Sequence, residues 1–165
     1  MARRQSRPSS RTSEPARLLI VGLGNPLMAD DGIGHAVVEG LKRNGAPAGA
    51  RLETLAGDVL GLADLWAGEP KIWLVDAVSG SSPPGSIRVF EHQVLLALPA
   101  EGLSAHHLSM GESLRWLLHG TPEMAAVGFT LYGIEIGALR PTPGLSPFVR
   151  RASARLASML VGAAA

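Results

Sequence analysis

The 165-residue chain contains no cysteine. That absence removes disulfides, thiolate-ligated zinc, iron–sulfur clusters and thiol nucleophiles together, so any metal must be held by His, Asp or Glu. No apolar run approaches the ~18 residues that a membrane helix needs, which excludes an integral membrane protein. No serine stands in a Gly-x-Ser-x-Gly elbow. The one glycine-rich loop is followed by no Lys-Ser/Thr pair, so a Walker-type phosphate loop is absent as well. Aromatic residues make up only 4% of the chain, and Trp66, Trp73 and Trp116 lie in no basic cluster; they read as packing residues.

Hydrophobic residues make up 46% of the chain, and its mean hydropathy is +0.20. It can therefore build a core, and its length suits one domain. With Gly at 20 and Pro at 12, a loop-rich α/β protein is favoured over a helical bundle. Charge is unevenly placed. Residues 1–16 hold four arginines and one glutamate, leaving 11 of the 15 basic and 13 of the 14 acidic residues to the body. That slightly acidic body argues against a nucleic-acid partner. The tail is polar and rich in Ser, Pro and Arg, and it lacks the apolar stretch of an export signal; it reads as a disordered extension without function. The domain reading is thus a tail over 1–16 and a single α/β domain over 17–165.

Leu18-Leu19-Ile20-Val21 is a solid apolar run ending in Gly22-Leu23-Gly24, the pattern of a strand buried on both faces of a parallel sheet. Ile33, Ala36, Val37 and Leu41 recur at helical spacing, and Asn44-Gly45 ends that helix. Arg51–Leu55 is a second strand, and Asp58 caps a helix presenting Val59, Leu62, Ala63 and Trp66 on one face. Lys71–Val75 is a third strand, stopped by Asp76. Ser86–Phe90 and Val127–Ile136 are further strands; Leu108, Leu114, Leu117 and Leu118 mark one more helix, and Val149, Ala152, Leu156 and Leu160 the last. Strands alternating with helices predict a three-layer α/β/α fold, phosphorylase/hydrolase-like, around a mostly parallel five-stranded sheet. Ligands of such folds bind beyond the carboxyl ends of the strands.

Three features stand at those ends. The loop Gly22–Gly34 brings Asp30 and Asp31 to a helix start, where one of them is expected to cap the helix and the other to face the strand ends. Its glycine spacing and paired acids are wrong for a dinucleotide phosphate. Asp76 follows the third strand, and His106-His107 precede a helix. If the first and third strands are neighbours, Asp31, Asp76 and one of the two histidines converge, a donor set suited to a first-row divalent ion with open positions. The remaining histidines are weaker candidates: His35 inside the first helix, His92 in a charged loop, His119 at a helix end. Ser109 and Ser113 read as polar-face helix residues.

The segment Leu19-Ile20-Val21-Gly22-Leu23-Gly24-Asn25-Pro26-Leu27-Met28-Ala29-Asp30-Asp31-Gly32-Ile33-Gly34 resembles the opening motif of the hydrogenase maturation proteases. Val75-Asp76-Ala77-Val78, Ser104-Ala105-His106 and Gly144-Leu145-Ser146-Pro147 continue the resemblance in order, over about residues 17–161. It implies an aspartyl-type endopeptidase that removes the C-terminal extension of a nickel–iron hydrogenase large-subunit precursor after nickel insertion. It further implies nickel ligation, by the substrate's own ion or a weakly bound surrogate, through Asp31, Asp76 and His106, with His107 competing for the last place. In this reading those three residues are both the metal set and the catalytic set, and no other cofactor is expected. After the second strand some family members carry an acid in a glycine-rich loop; here the stretch is Leu55-Ala56-Gly57-Asp58, where Asp58 would have to substitute. The expected setting is a cytoplasmic monomer whose partner is the large-subunit precursor, with no nucleic acid and no membrane. Two rivals share features of the chain. Peptidyl-tRNA hydrolase-like esterases open similarly but follow with an Arg-His-Asn segment that is absent here, and a non-enzymatic nickel-binding chaperone could use the same three ligands.

Overall fold

The computed structural model describes residues 16–98, 109–137 and 143–163. Five strands, β1 (Leu18–Leu23), β2 (Ala50–Leu55), β3 (Lys71–Val78), β4 (Ile87–Glu91) and β5 (Gly128–Glu135), form one sheet in the order β2-β1-β3-β5-β4. All pairs are parallel except β4 with β5. The helices are α1 (Ile33–Asn44), α2 (Leu62–Leu65), α3 (His92–Leu96), α4 (Met110–Gly120) and α5 (Pro147–Ala163). Short 3-10 turns lie at Ala29–Gly32, Val59–Gly61 and Pro122–Ala126.

Each face of the sheet carries its own core, because neighbouring residues of a strand point to opposite sides. On one face Ile20, Val75 and Ile134 meet Val37 and Leu41 of α1 and Leu156 and Leu160 of α5. On the other Val21, Leu74 and Leu131 meet Leu62, Leu95 and Leu114 of α2, α3 and α4. This is the expected three-layer α/β/α arrangement. Both faces of β1 are covered, which explains its unbroken apolar run.

The chain leaves β1 for β2 on one side and later adds β3 on the other. The carboxyl ends of β1 and β3 therefore flank the point where strand order reverses, the place where a crevice opens in such sheets. Close approach there depends on missing side chains. A Cβ on Gly34 would lie 2.3 Å from the Leu23 carbonyl oxygen and 2.5 Å from that of Val75, so the start of α1 sits directly on both strands. Gly24 turns the chain out of β1 at φ +104°, a conformation that L side chains rarely adopt.

Several local expectations are corrected. Asp76 does not stop β3; the strand runs on to Val78, and Asp76 pairs opposite Gly133 within the ladder. The helix expected after Asp58 is only a 3-10 turn followed by the four-residue α2, and Trp66 already has extended backbone angles. His92 lies in no charged loop: it opens α3, its Nδ1 accepts from the Phe129 N–H at 3.2 Å, and its ring stacks on Phe129. Residues 1–15 of the expected tail, and Leu108, lie outside the described residues.

Candidate active site

The loop after β1 presents two adjacent buried acids, Asp30 and Asp31, each 4% exposed. Neither caps α1, whose N-cap is Gly32 without a side-chain bond. The two carboxylates have separate tasks. Asp31 Oδ2 accepts from the Asn25 N–H at 2.8 Å, closing the loop on itself. Asp30 Oδ1 accepts from the Ser146 N–H at 2.6 Å, tying the opening loop to the segment that starts α5. Two of the motif blocks noted in the sequence are thus joined by one hydrogen bond across 116 positions.

Asp76 is 2% exposed within the central strand β3. Its Oδ1 accepts from its neighbour Ala77 N–H at 2.8 Å. Burial pushes its pKa up to about 7; the Ala77 N–H opposes the rise, and the negative charge of Asp31 adds to it. Asp31 and Asp76 therefore share one crevice and sense each other, as expected if β1 and β3 are neighbours. The apolar run of the sequence stops at Asp76, yet the strand continues; the structure keeps the residue inside by favouring its neutral form.

His106 and His107, the imidazole candidates, lie outside the described residues, as does the Ser104-Ala105 stretch before them. The described chain resumes at Ser109, the N-cap of α4, whose Oγ accepts from the Glu112 N–H. Neither Ser109 nor Ser113 is a surface residue as expected: they are 4% and 3% exposed. Ser113 Oγ donates to Asp58 Oδ2 at 3.3 Å, while Asp58 Oδ1 caps the turn after β2 by accepting from Leu60 N–H. Asp58 thus links that turn to α4. Among the described residues no group of three His, Asp or Glu side chains forms a metal cluster. What the described residues offer a divalent ion is two buried carboxylates, oxygen donors that fit one half of an open, mixed O/N site.

The family model for HycI, hydrogenase maturation protease, matches residues 36–163. The chain belongs to the hydrogenase maturation protease family. Asp76 and His106 fall inside the matched span, and Asp31 precedes it. The hydrogenase 2 maturation protease of Escherichia coli is 31% identical over 136 residues, covering 81% of this chain and 81% of that protein. Protein FrxA of Pyrococcus furiosus is 30% identical over 134 residues, 81% of this chain and 95% of that one. Among solved structures, the [NiFe] hydrogenase maturation protease HybD from Thermococcus kodakarensis superposes with a TM-score of 0.76 at 26% identity, covering 90% of this chain and 99% of that chain. A member of the hydrogenase maturation proteases is a peptidase, so the esterase and chaperone rivals fall away.

Two residues at the carboxyl edge were missed in the sequence. Asp30 carries no expected role beyond that of a helix cap, because nothing in the sequence reveals a partner so far along the chain. Glu135 ends β5 and is 1% exposed. Its signal was the same as that of Asp76, an acid at the carboxyl end of an apolar strand.

Proposed function

We propose that the protein is an endopeptidase that removes the C-terminal extension of a nickel–iron hydrogenase large-subunit precursor after nickel has been inserted. Asp31, Asp76 and His106 are the residues that recognise the precursor's own nickel, and the enzyme works as a cytoplasmic monomer. The observation that carries the reading is the meeting of two buried carboxylates at the β1/β3 crevice, close enough that one raises the pKa of the other. Two like charges held together in a dry crevice are unfavourable unless a cation or a proton joins them. The substrate's nickel supplies that positive charge and a fixed point of attachment beside the scissile bond. Asp31 is held for this by the Asn25 N–H, and Asp76 by the strand ladder and the Ala77 N–H. A precursor without nickel brings no positive charge to this pair, so discrimination comes from the same groups that bind.

The test is incubation with nickel-loaded and nickel-free precursor followed by intact-mass measurement. A small mass loss from the C-terminus of the loaded precursor alone is expected. No loss from either form would overturn the endopeptidase reading, and equal loss from both would overturn nickel recognition.

A further inference from the structure

Among the described residues three buried acids lie outside the Asp31–Asp76 pair: Asp30, Glu69 and Glu135. Glu69 bonds Arg51, and Glu135 stands 3.9 Å from Arg88 of β4, so each has a cation beside it. Asp30 is answered by a neutral group, the Ser146 N–H at 2.6 Å. Burying a carboxylate against a neutral donor is unfavourable beside the same burial against a cation, so a stabilising role alone accounts poorly for it.

The residue before it supplies a reason. Ala29 has φ +46° and is the only non-glycine residue with positive φ among the described residues. L side chains seldom enter this left-handed region, and they stay there only where the surroundings over-determine the backbone. Both flanks of Ala29 are clamped. Upstream, the Asn25 Oδ1 accepts from the Leu27 N–H at 3.0 Å, and the Asn25 carbonyl accepts from the Met28 N–H at 3.0 Å. Downstream, the Asp31 N–H donates to the Met28 carbonyl at 3.0 Å, and Asp30 is pinned to Ser146. Ala29 opens the 3-10 turn Ala29–Gly32. With three residues per turn, neighbouring side chains there diverge by about 120°. Holding Asp30 toward the start of α5 therefore leaves Asp31 turned inward, where its Oδ2 accepts from the Asn25 N–H at 2.8 Å and Asp76 feels its charge. A rotation of the turn that released one acid would swing the other.

We propose that Asp30 is a positioning residue for the reaction: by holding the Ser146 N–H it keeps Ala29 in its strained conformation and so fixes the Asp31 carboxylate toward Asp76. The proposal rests on the endopeptidase reading above, in which Asp31 meets the precursor's nickel. Asp30 itself touches no substrate. Its work is to stop the opening loop from relaxing at Ala29, the one place where the backbone gains by moving.

The test compares wild type with Asp30→Ala, Asp30→Asn and Ala29→Gly. Three quantities are read: Tm, kcat/KM on nickel-loaded large-subunit precursor well below the lowest Tm, and amide hydrogen exchange by NMR. Asp30→Ala is expected to lower kcat/KM about 100-fold while circular dichroism shows it folded, the scale of a displaced reacting group. Asp30→Asn, which keeps the acceptor, should recover most of that loss. Ala29→Gly separates positioning from stability. Glycine accepts φ +46° without strain, so Tm is expected to rise, yet the loop is freed and kcat/KM should fall several-fold. In the same variant the Asn25 amide, whose proton rests on Asp31 Oδ2, should exchange about tenfold faster, the scale of one hydrogen bond, with β1 amides no faster than in wild type. A latch that served stability alone would make activity follow Tm, with Ala29→Gly as active as wild type. Full activity of folded Asp30→Ala overturns the proposal, as does an Asp30→Asn no better than Asp30→Ala. A lowered Tm in Ala29→Gly, or unchanged kcat/KM and Asn25 exchange there, overturns it as well. If wild type fails to cleave, the endopeptidase reading fails, and Asn25 exchange in Ala29→Gly alone decides whether the turn positions Asp31.

Discussion

Asp30, Asp31 and Asp76 are three buried acids with three different tolerances. Asp30 uses one oxygen to accept from Ser146 N–H, so Asp30→Asn keeps that acceptor while Asp30→Ala is expected to lose about 1–3 kcal/mol of stability. Asp31→Asn and Asp76→Asn should instead abolish processing with the fold retained, read by cleavage and circular dichroism on the same preparations. Asp76 adds a pH signature. Its folded pKa of about 7 lies above the unfolded value of 3.8, so between those limits the native state holds a proton that the unfolded state has released. Stability from this group is full below about pH 4, falls as pH rises toward 7, and is flat above, a loss of up to about 4 kcal/mol. Chemical denaturation in the presence of a chelator checks this: Asp76→Asn should flatten the decline and be the more stable protein above pH 7. A steeper decline in the variant would contradict the assignment.

The amino ends of β2 and β3 are tied by a different kind of element, an ionic pin far from the crevice. Arg51 on β2 bonds Glu69 Oε1 through Nε at 2.7 Å, Glu53 through Nη1 at 2.9 Å, and the Leu65 carbonyl. Glu69 is 2% exposed and also accepts from the Ala67 N–H. Burial raises the Glu69 pKa, but Arg51 and the Ala67 N–H outweigh it and the net shift is downward. Its contribution is therefore present above the ordinary glutamate range and is lost as pH falls through the lowered value. Arg51→Met strands a buried carboxylate and is expected to cost about 3 kcal/mol, measured by urea denaturation, with kcat on the precursor unaffected. The elements themselves were legible where the pattern was physical: β1, α1 and α5 follow directly from apolar period. What escaped was set by tertiary partners. The α2 region reads as a full amphipathic helix, yet the Trp66 indole N–H reaches back to the Glu69 carbonyl and the chain is extended there. In the same way Ser113 looks like a surface residue until Asp58, 55 positions away, is known to meet it.

For the whole molecule the sheet order decided most. A parallel sheet with reversal between β1 and β3 puts Asp31 and Asp76 together, and that was legible because a loop of glycines and an acid-tipped strand mark the two ends. Arg88 and Glu135 were not, because their meeting depends on β4 running antiparallel beside β5, which no periodicity encodes. The polar tail is expected to be dispensable: deleting residues 1–16 should leave Tm and processing unchanged, and a fall in either would show that it docks on the body. The bond from Ser146 to Asp30 carries a consequence for biosynthesis. The loop bearing Asp31 is made early, but its anchor lies 116 residues downstream. At ribosomal speeds of about 5–20 residues per second, the two are separated by roughly 6–23 s of translation. Until the last helix leaves the ribosome Asp30 lacks its Ser146 partner, so in a nascent or prematurely terminated chain the loop is not yet tied to the C-terminal segment, and proteolytic competence is expected to arrive only with α5.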